Sequence, residues 1–194
     1  MNATPDPYYL DAAKAVFQNL QDFDLWFPKI SVPTAAAWAN HFQKTGLCVE
    51  DLVAGVEHAR DHHSRINTTR SEQRGEKAEQ FRPTPDDIIR HAHAFRRDVL
   101  AQLPKDRVDE MELANHVFQD MGYTPREAHA FSREVALAVA LGRTPRGQLE
   151  PERLDEFKAL FAAKKQAALG FRDRRRELAQ ALRVADLYSV ERAS

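Results

Sequence analysis

Residues 81–89, Phe81-Arg82-Pro83-Thr84-Pro85-Asp86-Asp87-Ile88-Ile89, carry the clearest structural instruction in the chain. Thr84 is an N-cap residue type whose hydroxyl can accept from a free backbone N–H of a first helical turn. Pro85 suits the first helical position, where its missing N–H is not needed and its fixed φ is already helical. Asp86 and Asp87 put negative charge at the positive end of the helix dipole. Ile88, Ile89, Ala92, Phe95 and Val99 then recur at helical spacing, which predicts a helix that fades at Leu103-Pro104. The same signal returns at Thr124-Pro125-Arg126-Glu127 and predicts a helix to Leu141, closed by Gly142.

Working outward, the rest of the chain reads the same way. Ala is abundant, and runs of alternating Val, Ile and Thr are missing. Ala12, Ala13, Val16, Phe17 and Leu20 share one face of a helix expected over Tyr8–Asp22. An aromatic connector, Asp22–Pro33, holds Trp26 and Phe27, which are expected to be open enough to meet a partner. Thr34 is expected to cap a helix over Ala35–Lys44, with Trp38 and Phe42 inward. Leu52, Val53, Val56 and Ala59 mark a third helix over Glu50–Ser64. Ile66–Arg82 is polar and charged and reads as a long mobile loop. Pro104–Arg107 is the expected boundary. Beyond it come helices over Val108–Met121, Thr124–Leu141, Glu152–Ala168 and Phe171–Tyr188, with a turn-rich linker at Arg143–Pro151. The fold expected is all-α, a helical bundle of about seven to eight helices in two parts, 1–104 and 105–194.

Composition excludes several function classes. The 194 residues include 28 basic and 29 acidic side chains, for a net charge of −1, so no global field draws the molecule to nucleic acid or an anionic membrane. The single cysteine, Cys48, makes no internal disulfide and reads as a small buried hydrophobe. The longest apolar stretch, near Val135–Leu141, is too short to span a bilayer, and Met1–Asp11 lacks the basic start and apolar stretch of a secretory signal. A cytoplasmic protein without membrane contact is the expectation. The seven glycines are isolated, so there is no phosphate-cradling loop and no dinucleotide fingerprint.

Charge is nevertheless uneven. Residues 1–57 hold three Lys and seven Asp or Glu, whereas residues 171–183 hold five Arg against Asp173 and Glu177. That arginine-rich stretch could meet phosphates or an acidic protein face. His58 and His62 stand four apart on one helix face, as two metal ligands would, and His91 and His93 follow on the next helix. Ala59 stands where a catalytic zinc pair of this spacing has Glu, so the group is read as a polar face and no metal or cofactor is assigned. No nucleophile constellation is present, and no catalytic residue is assigned.

The first half has a further pattern. A helix led by Trp38 is followed by Val49-Glu50-Asp51-Leu52-Val53-Ala54-Gly55-Val56-Glu57-His58, a charged loop, and then Phe81-Arg82-Pro83-Thr84-Pro85-Asp86-Asp87-Ile88-Ile89. Over residues 8–103 this layout resembles the N-terminal helical domain of phage replicative-helicase loaders, the loader/inhibitor family found with Gram-positive phages. The arginine-rich, lysine-poor composition resembles that of an actinobacterial phage or prophage protein. The resemblance implies a non-enzymatic role in starting DNA replication in a bacterial host cytoplasm. It implies binding to a hexameric DnaB-type helicase, which is held inactive and handed to an origin-bound initiator. Residues 105–194 depart from the family pattern in being longer and well helical.

The partner surface is expected on the C-terminal helices, at Phe157, Leu160, Phe161, Phe171, Arg172, Arg175 and Arg176, from their amphipathic and basic pattern. The alternative function is a nucleic-acid-binding accessory or regulatory protein acting through the arginine-rich helix, with weak DNA contact.

Overall fold

The computed structural model describes residues 5–25, 27–75, 77–145 and 149–170. Every regular element among them is an α-helix: α1 (Pro7–Phe23), α2 (Val32–Gln43), α3 (Val49–Arg74), α4 (Pro85–Ala101), α5 (Lys105–Asp120) and α6 (Pro125–Leu141). A seventh helix, α7, spans residues 151–170. The helix expected over Phe171–Tyr188 lies outside the described residues. The chain divides into two compact units, Met1–Gln102 and Leu103–Ser194, so the break falls two residues before the boundary expected at Pro104.

In the first unit the apolar faces of α1 to α4 meet in one core. Ala12, Ala13, Val16, Phe17 and Leu20 of α1 are all buried, as their spacing requires, together with Ala39, Phe42, Leu52, Val56, Ile88 and Ala92. Phe17 contacts the ring of Phe27 at 5.7 Å and that of Trp38 at 4.6 Å, and Trp38 contacts Phe42 at 5.9 Å. Edge-to-face contacts of this kind add to the area the rings bury. Phe27 is therefore part of the core, not the open aromatic expected of the connector, and Trp26 lies outside the described residues. Leu25 at 92% exposure and Val32 at 84% are the large apolar side chains most open to solvent in this region.

Three helix boundaries differ from expectation by three residues or more. α5 begins at Lys105, with Pro104 at the N-cap position, so 105–107 of the expected boundary stretch form its first turn. α2 begins at Val32, with Ser31 as its N-cap. The Ser31 hydroxyl accepts from the Thr34 N–H at 3.3 Å, and Pro33 occupies the first turn without losing a bond. α3 runs ten residues past the expected end at Ser64, to Arg74. Its second half is polar apart from Ile66 and would not start a helix alone. Extending a helix already nucleated and packed fixes only one residue per new bond, so continuation costs far less than initiation. Gly75 ends it in the left-handed conformation, φ 64°, and its N–H donates to the Ser71 carbonyl.

Among the described residues of the stretch expected as a loop, 77–82 have no regular structure. Residues 77–84 lie along α3 as a strap. The Asn67 side chain clamps the Glu79 backbone on both sides, donating to its carbonyl at 2.9 Å and accepting from its N–H at 3.3 Å. Arg70 pairs with the Glu79 carboxylate at 2.9 Å, and Arg82 donates to Asp24 at 2.8 Å. The strap leads into the start of α4, where Thr84 and Asp87 form a reciprocal capping box. The backbone N–H and hydroxyl of Thr84, with Arg90, hold the Asp87 carboxyl below its ordinary range.

The second unit packs α5, α6 and α7. Ala114, Val117, Phe118, Met121 and Ala128 are its buried centre. Thr124 and Glu127 repeat the capping box at the start of α6. Arg153 of α7 donates to the Met121 carbonyl at 2.9 Å, satisfying an acceptor at the end of α5, and its guanidinium lies 5.2 Å from the Tyr123 ring. Lys165 pairs with Glu110 at 2.6 Å.

Among the described glycines, Gly55 is the one packed against another helix. A Cβ there would stand 2.7 Å from the Ile88 carbonyl oxygen and 2.9 Å from the Ala92 nitrogen, both backbone atoms of α4. Helix propensity alone makes Gly→Ala stabilising by about 0.5–1 kcal/mol. Gly55→Ala is expected to reverse that sign, with a loss of about 1–3 kcal/mol in urea unfolding, because α4 must move to admit the methyl. A stabilised variant would show that the helices separate freely.

Candidate functional site

The chemistry-bearing side chains of the first unit gather along the seam between α3 and α4. On α3, Asp51, Gly55, His58 and His62 recur every three or four residues and so share one face. The contacts run in opposite directions along the two helices: Asp51 meets Arg96, Gly55 meets Ala92, and His58 and His62 meet His91.

At one end Asp51 is fully buried, 0% exposed, and accepts from Arg96 Nη1. A charge taken out of water this completely is tolerated only with a partner and hydrogen bonds. At the other end His58 Nδ1 lies 2.9 Å from His91 Nδ1, and His58 Nε2 lies 3.3 Å from Asp98 Oδ2. The rings of His62 and His91 stand 5.2 Å apart. A carboxylate beside His58 Nε2 favours an N–H there. The neutral form then has a lone pair on His58 Nδ1, and His91 supplies the Nδ1–H of the shared bond. Burial holds His91 below its ordinary value of 6.5, and His58, His62 and Arg90 add to the effect while Asp87 opposes it.

His62 and His91 open onto a cleft of about 370 Å³, bounded across from them by Phe81, Arg82 and Pro83 of the strap and by Asp87 and Arg90 of α4. The structure thus brings three of the four histidines of the sequence pattern together. His93 is exposed, and His63 instead packs on Phe81 with ring centroids 5.3 Å apart. Among the described residues no group of three or more His, Cys, Asp or Glu has the arrangement to hold a metal ion. Cys48 is buried, as a small hydrophobe would be.

Three residues of this site escaped sequence reasoning. Asp51 stands four residues before Gly55, which places it on the packed face. The partners of Arg96 and Asp98 are remote in sequence.

The side chains expected to form a partner surface divide into two sets. Phe157, Leu160 and Phe161 of α7 are half-buried and pack against the second unit's core. Phe157 stacks on Phe118 with centroids 4.6 Å apart, and on Phe161 at 5.7 Å. These rings serve intramolecular packing first, and only part of each remains for another molecule. Phe171, Arg172, Arg175 and Arg176 lie outside the described residues.

Comparison of the chain with protein-family models, with curated proteins and with solved structures finds no match. Among the described residues no helix is long and apolar enough to cross a membrane.

The Asp51–Arg96 pair makes a direct prediction. Arg96→Met leaves a buried carboxylate without its main partner and is expected to cost about 3–5 kcal/mol at neutral pH, read by chemical denaturation. Asp51→Asn with Arg96→Met, which removes both charges, is expected to recover a substantial part of that loss. Equal losses in the single and double variants would mean that the pair is not coupled.

Proposed function

We propose that this protein is a non-enzymatic helical adaptor that binds a hexameric DnaB-type replicative helicase and loads it or holds it inactive. The observation that carries the reading is the ordered layout of three segments: the Trp38 helix, Val49–His58 and Phe81–Ile89. Each is built of core and capping residues, and all three fall within one four-helix unit. Two further features support docking work. Phe23, Leu25 and Val32 are exposed apolar side chains on or between α1 and α2, and Arg60 covers one face of the Phe23 ring at 3.7 Å. The arginine-rich stretch with Phe171, Arg172, Arg175 and Arg176 offers the planar cations that pair with carboxylates or phosphates.

The mechanism is differential binding. An adaptor that prefers one state of the helicase ring shifts the ring toward that state, and a competing contact with an origin-bound initiator or with DNA releases it. The test is retention of a DnaB-type helicase by the immobilised full-length protein and by residues 1–102. Helicase is expected to stay with the full-length protein and to wash from the truncation. Retention by both would move the contact to the first unit, where Leu25→Asp and Val32→Asp are the variants of choice. Absence of binding by the full-length protein, with steeply salt-dependent DNA binding in its place, would overturn the adaptor reading.

A further inference from the structure

We infer that His58, His91 and His62 form a proton-operated latch, closed when the imidazoles are neutral and opened when the cluster takes up protons. Opening would free the distal half of α3 and the strap from α4.

The geometry of the shared bond carries the inference. Two nitrogens 2.9 Å apart hold one hydrogen between them. If His58 is neutral with its hydrogen on Nε2, toward Asp98, then His91 donates. If His58 carries both hydrogens, it donates and His91 must accept. The neutral pair can therefore take up one proton, on either ring, but not two. Two imidazolium rings would present N–H to N–H and place like charges in contact, with a third imidazole, His62, against His91.

The surrounding charges relieve this only in part. From α4, Arg90 adds positive charge, and the Asp87 carboxylate already accepts from the Thr84 backbone and from Arg90. Asp98 is engaged with His58. From the strap, Arg82 lines the same cleft as His62 and His91 and is paired with Asp24, while Glu79 is paired with Arg70. From α2, His41 faces Asp86 at 3.2 Å, so that carboxylate is also occupied.

The direction of the response follows. His91 sits below its ordinary value in the closed seam and regains that value when the seam opens. The open form therefore binds more protons, and closure weakens as pH falls below about 6.5. Opening is centred on the His58–His91 end. The Asp51–Arg96 pair and the Gly55 contact hold the other end of the seam, where the exposed His93 stands outside the pair; burial, with Arg96 and Arg97, holds His93 below its ordinary value while Asp51 opposes. The strap is fastened to the distal half of α3 by Asn67 and Arg70, so it travels with that half.

Hydrogen exchange of the full-length protein at pH 7.5 and 5.5, corrected for intrinsic rates, tests the latch. Amides of residues 58–74 are expected to lose protection at least about tenfold more than those of residues 49–57 on acidification. His91→Gln keeps a donor and an acceptor but cannot be charged, and is expected to abolish at least two-thirds of that differential. An equal response in both segments, or an undiminished one in His91→Gln, would overturn the inference. Should His91→Gln fold poorly, imidazole resonances of the unaltered protein decide. The His91 imidazole is expected to titrate below its ordinary value of 6.5, and a His91 curve at or above that value would refute the latch.

Discussion

The first unit depends on the approach of α3 to α4 at Gly55. A helix backbone can lie this near another only where a side chain is missing, and the Ile88 carbonyl and Ala92 nitrogen occupy the space a methyl would need. That one contact sets the spacing of the whole seam. It brings Asp51 close enough to Arg96 for a fully buried carboxylate to be satisfied, and it brings His58 within one hydrogen bond of His91. Ile88 and Ala92 in turn join α4 to the core that α1, α2 and α3 share. A wider spacing would leave Asp51 buried without its partner and the imidazoles apart, so the polar features of the seam are consequences of a packing constraint.

The two ends of the seam differ in kind. The Asp51–Arg96 end joins a fully buried carboxylate to a guanidinium, and separating such a pair is costly. The histidine end joins imidazoles, of which His91 is held below its ordinary value. The strap is fastened by side-chain contacts to Asn67, Arg70 and Asp24, with Phe81 packed against the core and Pro83 buried.

In the second unit, aromatic packing takes up residues that would otherwise be candidates for docking. Phe118 contacts Tyr123, Phe131 and Phe157, and Phe157 passes the contact to Phe161. Arg153 ties α7 to the end of α5 through a carbonyl that the helix leaves free. An amphipathic helix always has an apolar stripe, and whether that stripe meets the chain's own core or another molecule depends on which neighbours exist. Here α5 and α6 supply the neighbours for Phe157, Leu160 and Phe161.

The amino-acid sequence by itself determined the helices, most of their ends and the inward faces. Thr84-Pro85 and Thr124-Pro125 specify helix starts through bonds three residues apart, and Ala12, Val16 and Leu20 specify a buried face through their period. These are local relations, and a sequence displays them directly. It also displayed the histidines, since His58 and His62 are one helical turn apart. The continuation of α3 to Arg74 was not legible, because it rests on nucleation by the packed first half and on a clamp from Asn67 to Glu79. The burial of Phe27, the joining of Asp51 to Arg96 and the hydrogen bond from His58 to His91 were decided by tertiary structure alone. Each joins residues on different elements, and only the crossing of α3 over α4, set by a missing side chain at Gly55, brings the two seam pairs within reach.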